Sequence, residues 1–236
     1  MDLYRPQPKL KTFDTQIDMR AVMQQVYLWM TAGLGVSFGI AFFLTATNLT
    51  VTLMPLLMVG MIAQLIIVFW LSARVFQMSA QRATNLFLIY AALNGLSLSL
   101  AFYIADLADV TLALFATSAM FGAMSIVGYT TKVDLSKMGG ILLTALIGLI
   151  IASIVNIFWA SSGLYWLITY AGVLIFVALT AYDTQMIKRA AYQMESSGVG
   201  TADVVVRRVA IFGALRLYLD FINLFWYILR IVSDRR

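Results

Sequence analysis

The feature that most constrains this chain is the length of its charge-free runs. Between Arg20 and Arg74 lie 53 consecutive residues without Asp, Glu, Lys or Arg, and 45 more run from Met138 to Tyr182. A bilayer-spanning helix needs roughly 20 predominantly apolar residues, so each run has room for two crossings. Only 11% of the 236 residues are charged and 62% are hydrophobic, against roughly 25% charged in an ordinary soluble domain. A soluble globule is excluded, and the expected fold class is an all-α, polytopic membrane protein in one compact bundle.

The punctuation of the apolar runs places the spans. The stretch Thr45-Ala-Thr-Asn-Leu-Thr50 with Pro55 divides the first run into spans at about 25–46 and 52–73. A third span fits between Arg82 and Asp106 and a fourth between Asp109 and Lys132. Ala160-Ser-Ser-Gly163, flanked by Trp159, Tyr165 and Trp166 in the manner of an interfacial aromatic belt, divides the second long run into the fifth and sixth. A seventh apolar run covers about 209–229. Residues 1–24 read as a polar tail, 25–236 as a single transmembrane domain, and 188–208 as the one long internal loop. Asp106, Asp109 and Asp134 read as solvated loop residues.

Charge placement sets the expected orientation. The tail and the loops near residues 78, 134 and 198 carry twelve Lys and Arg on one side, and the other three loops carry none. By the positive-inside rule the N-terminus faces the cytoplasm. The net charge of +5 is therefore a topology signal and calls for no nucleic-acid partner. Seven crossings would place Arg230, Arg235 and Arg236 outside, a conflict that a seventh helix inserting without fully crossing would remove.

The chain has no Cys and no His, which removes disulfides, thiol nucleophiles, histidine-dependent catalysis and the common zinc sites. Proton chemistry must then use carboxylates. An Asp inside a membrane helix costs roughly 2.5 to 3.5 kcal/mol on insertion scales unless paired or hydrated, so Asp220, about 11 residues into the seventh run, is the leading candidate. Arg216 precedes it by four residues and Asn223 follows by three, which puts all three on one helix face. Asp183, next to Tyr182, lies near the cytoplasmic end of the sixth span, and Arg74 lies at the corresponding end of the second. Arg74 either snorkels to the headgroups or meets the carboxylates.

Ala181-Tyr-Asp-Thr-Gln185 followed by Leu217-Tyr-Leu-Asp-Phe-Ile-Asn-Leu-Phe225 resembles the paired signature of the Bax inhibitor-1 family, also called the transmembrane Bax inhibitor motif family, in its bacterial branch. The resemblance implies seven helices with the C-terminal one central and wrapped by the other six. It also implies a pH-sensitive calcium leak of the bacterial inner membrane, with no enzymatic activity and no cofactor. The family's aspartate pair falls on Asp183 and Asp220, and its second-helix arginine on Arg74. Two carboxylates close together in a low-dielectric site share a proton and titrate as one unit. Loss of that proton introduces like-charge repulsion, which separates the helices and exposes Asp183 and Asp220 as hard oxygen ligands suited to Ca²⁺.

Two other readings have residues behind them. Intramembrane aspartyl proteases also carry a Tyr-Asp helix followed by a second catalytic Asp, but their Gly-x-Gly-Asp motif is replaced here by Leu217-Tyr-Leu-Asp220. The resemblance further implies a membrane-anchored AAA protease as partner, for which the polar tail would be a handle.

Overall fold

The computed structural model describes residues 18–74, 77–196 and 202–234, and within these no strand occurs. The chain forms α1 (Met19–Ala46), a single turn α2 (Leu49–Thr52), α3 (Met54–Arg74), α4 (Ala80–Ile104), α5 (Leu107–Thr130), a 3₁₀ turn at Leu135–Met138, α6 (Gly139–Trp159), α7 (Ser162–Ser196) and α8 (Ala202–Ser233). Helices dominate because a bilayer offers the backbone no water, so each N–H and C=O must be satisfied within its own segment. Six of them are long and apolar enough to cross a membrane among the described residues. The other expected span is α3, in which the described apolar stretch is Ile62–Leu71.

Local chemistry sets the ends. Asp18 accepts a hydrogen bond from the Arg20 N–H (2.9 Å) and starts α1. The expected tail therefore becomes helical at Met19, six residues before the boundary drawn from charge alone. Residues 1–17 of that tail lie outside the described residues. Asn48, at φ 56°, takes the left-handed conformation that Asn tolerates, and turns the chain between α1 and α2 where the Thr45–Thr50 stretch is expected to do so. At the second expected break, Asn156 accepts from the Ala160 N–H (2.9 Å) through its carbonyl and from the Ser161 N–H (3.1 Å) through its side chain. α6 stops there and α7 starts.

The long loop expected at 188–208 is mostly helix. α7 continues to Ser196 and α8 begins at Ala202, leaving 197–201 outside the described residues. Charge at Lys188 and Arg189 suggests a loop, but Ile187 and Ala191 are fully buried on the opposite face. A helix that is amphipathic beyond the bilayer edge still has a stripe to bury.

α8 is central: 72% of its apolar window is buried, against 11% for α6. It packs extensively on α7, α1, α5 and α4. α3 instead leans on α4, and α6 on α7, and neither packs extensively on α8 or on the other. The expectation of six helices wrapped around α8 thus resolves into four that hold it and two that flank a gap in the ring. α8 is fixed by a polar node in the core. Ser37 Oγ donates towards the carbonyls of Ala91 (2.7 Å) and Gly33 (3.0 Å), which cannot themselves donate. The Tyr218 hydroxyl, 2.6 Å away, must then donate to Ser37. The Tyr218 ring meets Phe87 edge-on, with centroids 5.5 Å apart.

The helices alternate direction. Gln25 and Trp29, Gln81 and Thr84, and Arg207 share one groove at one end, where Gln185 and Lys188 also bond the segment at 129–135. At the opposite end Arg230 stacks over Tyr165 (5.6 Å) and Tyr227 (5.5 Å). α8 therefore traverses the whole bundle, and Arg230 lies at the end away from the Lys- and Arg-rich loops. The cost of that placement is offset by the aromatic faces, which attract a guanidinium.

Candidate functional site

The antiparallel contact of α7 with α8 brings Asp183 and Asp220 together. Both are buried, with 5% and 4% of their surface exposed, and both line the same cavity. Arg216 joins them: its Nη1 lies 3.3 Å from Asp183 Oδ1. The Arg216 side chain is 37% exposed, and its guanidinium lies over the Phe212 ring at 5.3 Å. The contact with Asp183 is an ion pair without hydrogen-bond geometry, since Asp183 Oδ1 and Asp220 Oδ2 both lack a hydrogen-bond partner. Unpartnered carboxylate oxygens at this burial are costly. They are also the atoms that a shared proton or an incoming cation would satisfy.

These groups open into a cavity of about 660 Å³. Asp183, Arg216, Asp220 and Asn223 form its polar floor, and Val68 and Phe69 of α3 and Leu146 to Ile157 of α6 supply its walls. Phe69, Ile150, Ile154 and Ile157 on those walls are each at least half exposed, so the gap between α3 and α6 faces the surroundings of the bundle. The floor lies near the charged end. Two residues beyond Asp183, Gln185 Oε1 accepts from the Leu135 N–H and its Nε2 donates to the Val133 carbonyl, each at 2.8 Å. This amide clamps the 131–138 connection onto α7, a role the sequence signals only as a polar residue inside the motif.

The structure sorts the remaining candidates. Asn223 lines the cavity, with its Nδ2 donating to the Leu219 carbonyl at 2.8 Å. Tyr182 does not: successive helical residues point about 100° apart, and its hydroxyl faces Gly139 at the start of α6. Arg74 is exposed and lines a separate groove with Arg82, so of the two expected modulating charges only Arg216 reaches the pair. Asp109 is buried in the first turn of α5 rather than solvated, a position where the helix N-terminus favours a carboxylate.

Asp134 is exposed and paired with Arg189. The Ser136 hydroxyl and N–H, and then the Arg189 guanidinium, hold its carboxyl down at about 2. Because the folded value is depressed, the stabilisation is present above the ordinary carboxylate range and is lost only as pH falls towards about 2. This contact is silent near neutrality. Asp134→Asn is therefore expected to leave any pH dependence of activity between mildly acidic and neutral conditions unchanged, as read by ion flux in liposomes.

These features define a class, the polytopic helical membrane protein with a buried, ion-paired carboxylate cluster in a laterally open cavity. The chain belongs to the Bax inhibitor-1 family: residues 19–236 match the family model described as inhibitor of apoptosis-promoting Bax1. It is 43% identical over 222 residues to the inner membrane protein YbhL of Escherichia coli (strain K12), covering 92% of this chain and 93% of the relative. It is 41% identical over 227 residues to an uncharacterized protein of Deinococcus radiodurans (95% and 94% covered) and 38% identical over 235 residues to the uncharacterized protein RP147 of Rickettsia prowazekii (97% and 94%). The inner-membrane relative and the apolar helices identify an integral inner membrane protein.

Proposed function

We propose that this protein is a pH-sensitive calcium leak of the inner membrane, gated by Asp183 and Asp220, with seven crossings and a cytoplasmic N-terminus. The observation that carries the proposal is the burial of both carboxylates at the α7–α8 contact, on the floor of one cavity and beside a single cation. One guanidinium balances one carboxylate, so the second stays neutral at low cost only by keeping a proton. When both ionise, like charges face each other across α7 and α8, water enters, and the unpartnered oxygens become cation ligands. Calcium takes six to eight oxygens, and no group of three His, Cys, Asp or Glu able to hold a metal occurs among the described residues. A two-carboxylate site suits an ion in transit better than a resident one.

Arg216 favours this switch over a water-activating carboxylate dyad, because an ion-paired Asp183 is a poor proton acceptor. Replacing Arg216 by Gln removes a cation that stabilises the ionised pair, so opening is expected to move to higher pH. A Ca²⁺ flux titration reads that shift, and an unchanged profile would remove Arg216 from the switch. The leak itself is tested with purified protein in liposomes across a pH series. Flux that rises with pH in the absence of any partner supports a channel. Flux that appears only with an added membrane-anchored AAA protease would assign the protein to regulation instead.

A further inference from the structure

The groove that contains Arg74 carries an inference independent of the aspartate pair. It has a volume of about 480 Å³ and lies at the α3–α4 turn, lined by Trp70, Arg74, Gln77, Ser79, Arg82 and Asn85 together with apolar side chains. Among the described residues no Asp or Glu lines it. Arg74 and Arg82 are both exposed, and neither belongs to an ion pair found among the described residues. Ser79 caps α4, accepting from the Arg82 N–H at 3.4 Å, so the positive end of a 25-residue helix adds to the same field.

Below these groups the surface turns apolar. Trp70 is 47% exposed and Ile89 50% exposed, and the stretch Ile62–Leu71 leads away from the groove along α3. A tryptophan between a cationic rim and an apolar flank marks the depth of lipid headgroups. Two guanidiniums that share a groove can fork onto phosphate oxygens, which a single ammonium cannot. We infer that this groove binds an anionic phospholipid, with Arg74 and Arg82 on the headgroup phosphate and the acyl chains along Trp70 and Ile89. Charge complementarity selects the headgroup, and the apolar flank selects a lipid over a free anion.

The full chain, purified in detergent, is titrated by native mass spectrometry with phosphatidylglycerol, phosphatidylcholine or inorganic phosphate. Phosphatidylglycerol should bind at least about tenfold more tightly than phosphatidylcholine, and Arg74→Gln with Arg82→Gln should weaken it roughly 10- to 30-fold. The Lys-for-Arg pair returns both charges but not the bidentate forks, so it should restore only part of the binding, which separates charge from any loss of fold. Lys132→Gln with Lys137→Gln, which removes two exposed cations of the same end outside the groove, should change binding less than about threefold. Equal losses in the two Gln pairs would reduce the groove to general basicity and overturn the proposal. So would displacement of the lipid by inorganic phosphate at equal molarity, or equal affinity for the two lipids.

Discussion

Asp183→Asn and Asp220→Asn should each flatten the pH dependence of Ca²⁺ flux, and the double variant should do no more than either alone. Each substitution removes one ionisable group and with it the repulsion between two buried carboxylates, while the amide can hydrogen-bond the carboxylate that remains. Groups that act as one unit give non-additive effects. The Ala variants should behave differently. Asp220→Ala deletes the proposed bridge and leaves a hole on the floor of the cavity, so basal leak should rise at acid pH, where the proposed switch keeps the parent closed. Asp183→Ala also strips Arg216 of its ion-pair partner at 3.3 Å, and should leak most. Flux across a pH series in liposomes separates these outcomes. Single Asn variants with the parental profile would show that the pair is structural.

The second large effect is expected at a glycine outside the site. A Cβ on Gly128 of α5 would collide with the Ala181 carbonyl oxygen and stand 2.8 Å from its Cα, both backbone atoms of α7 that no rotamer change can move. Small residues let membrane helices approach this closely. Gly128→Ala should force α5 away from α7 two residues before Asp183, lowering stability by about 3 kcal/mol, at the upper end of ordinary overpacking. Gly122, six residues earlier on the same helix, has nothing within 4 Å of its notional Cβ. Gly122→Ala should be neutral or stabilising by up to about 1 kcal/mol. Thermal unfolding in detergent checks the contrast, and equal melting temperatures for the two variants would contradict the packing account.

These two positions show what the sequence can and cannot express. Asp183, Arg216 and Asp220 are legible because charge is scarce in apolar helices, and the spacing of four between Arg216 and Asp220 fixes their common face. The turns at Asn48 and Ala160 are legible because polar and small residues interrupt long apolar runs. The arrangement of the helices is not legible in the same way. Every long helix is apolar on most faces, so hydropathy does not say which neighbours touch, and the close approach at Gly128 depends on the absence of a side chain that only its partner in space makes meaningful. The outward placement of α3 and α6, which opens the cavity, follows from such contacts. Arg74 is singled out by its place at the end of the second span and by the resemblance, and Tyr182 by its place in the first motif, yet the position at a helix end and rotation about the helix axis direct them elsewhere. The helical stretch 188–196 shows that charge marks solvent only for the face that carries it, and Asp109, itself buried in the first turn of α5, shows that a helix start can hold a charge away from solvent.

The central claim is that loss of a shared proton separates α7 from α8. The chain has no Cys, so spin labels can be placed at Tyr192→Cys on α7 and Arg207→Cys on α8, both exposed positions, and their separation followed by pulsed electron paramagnetic resonance in liposomes. The account predicts a short distance at acid pH and a longer population that grows as pH rises, in step with flux, and that is absent in the Asp183→Asn background. A single distance unchanged over the pH range in which flux rises would contradict it.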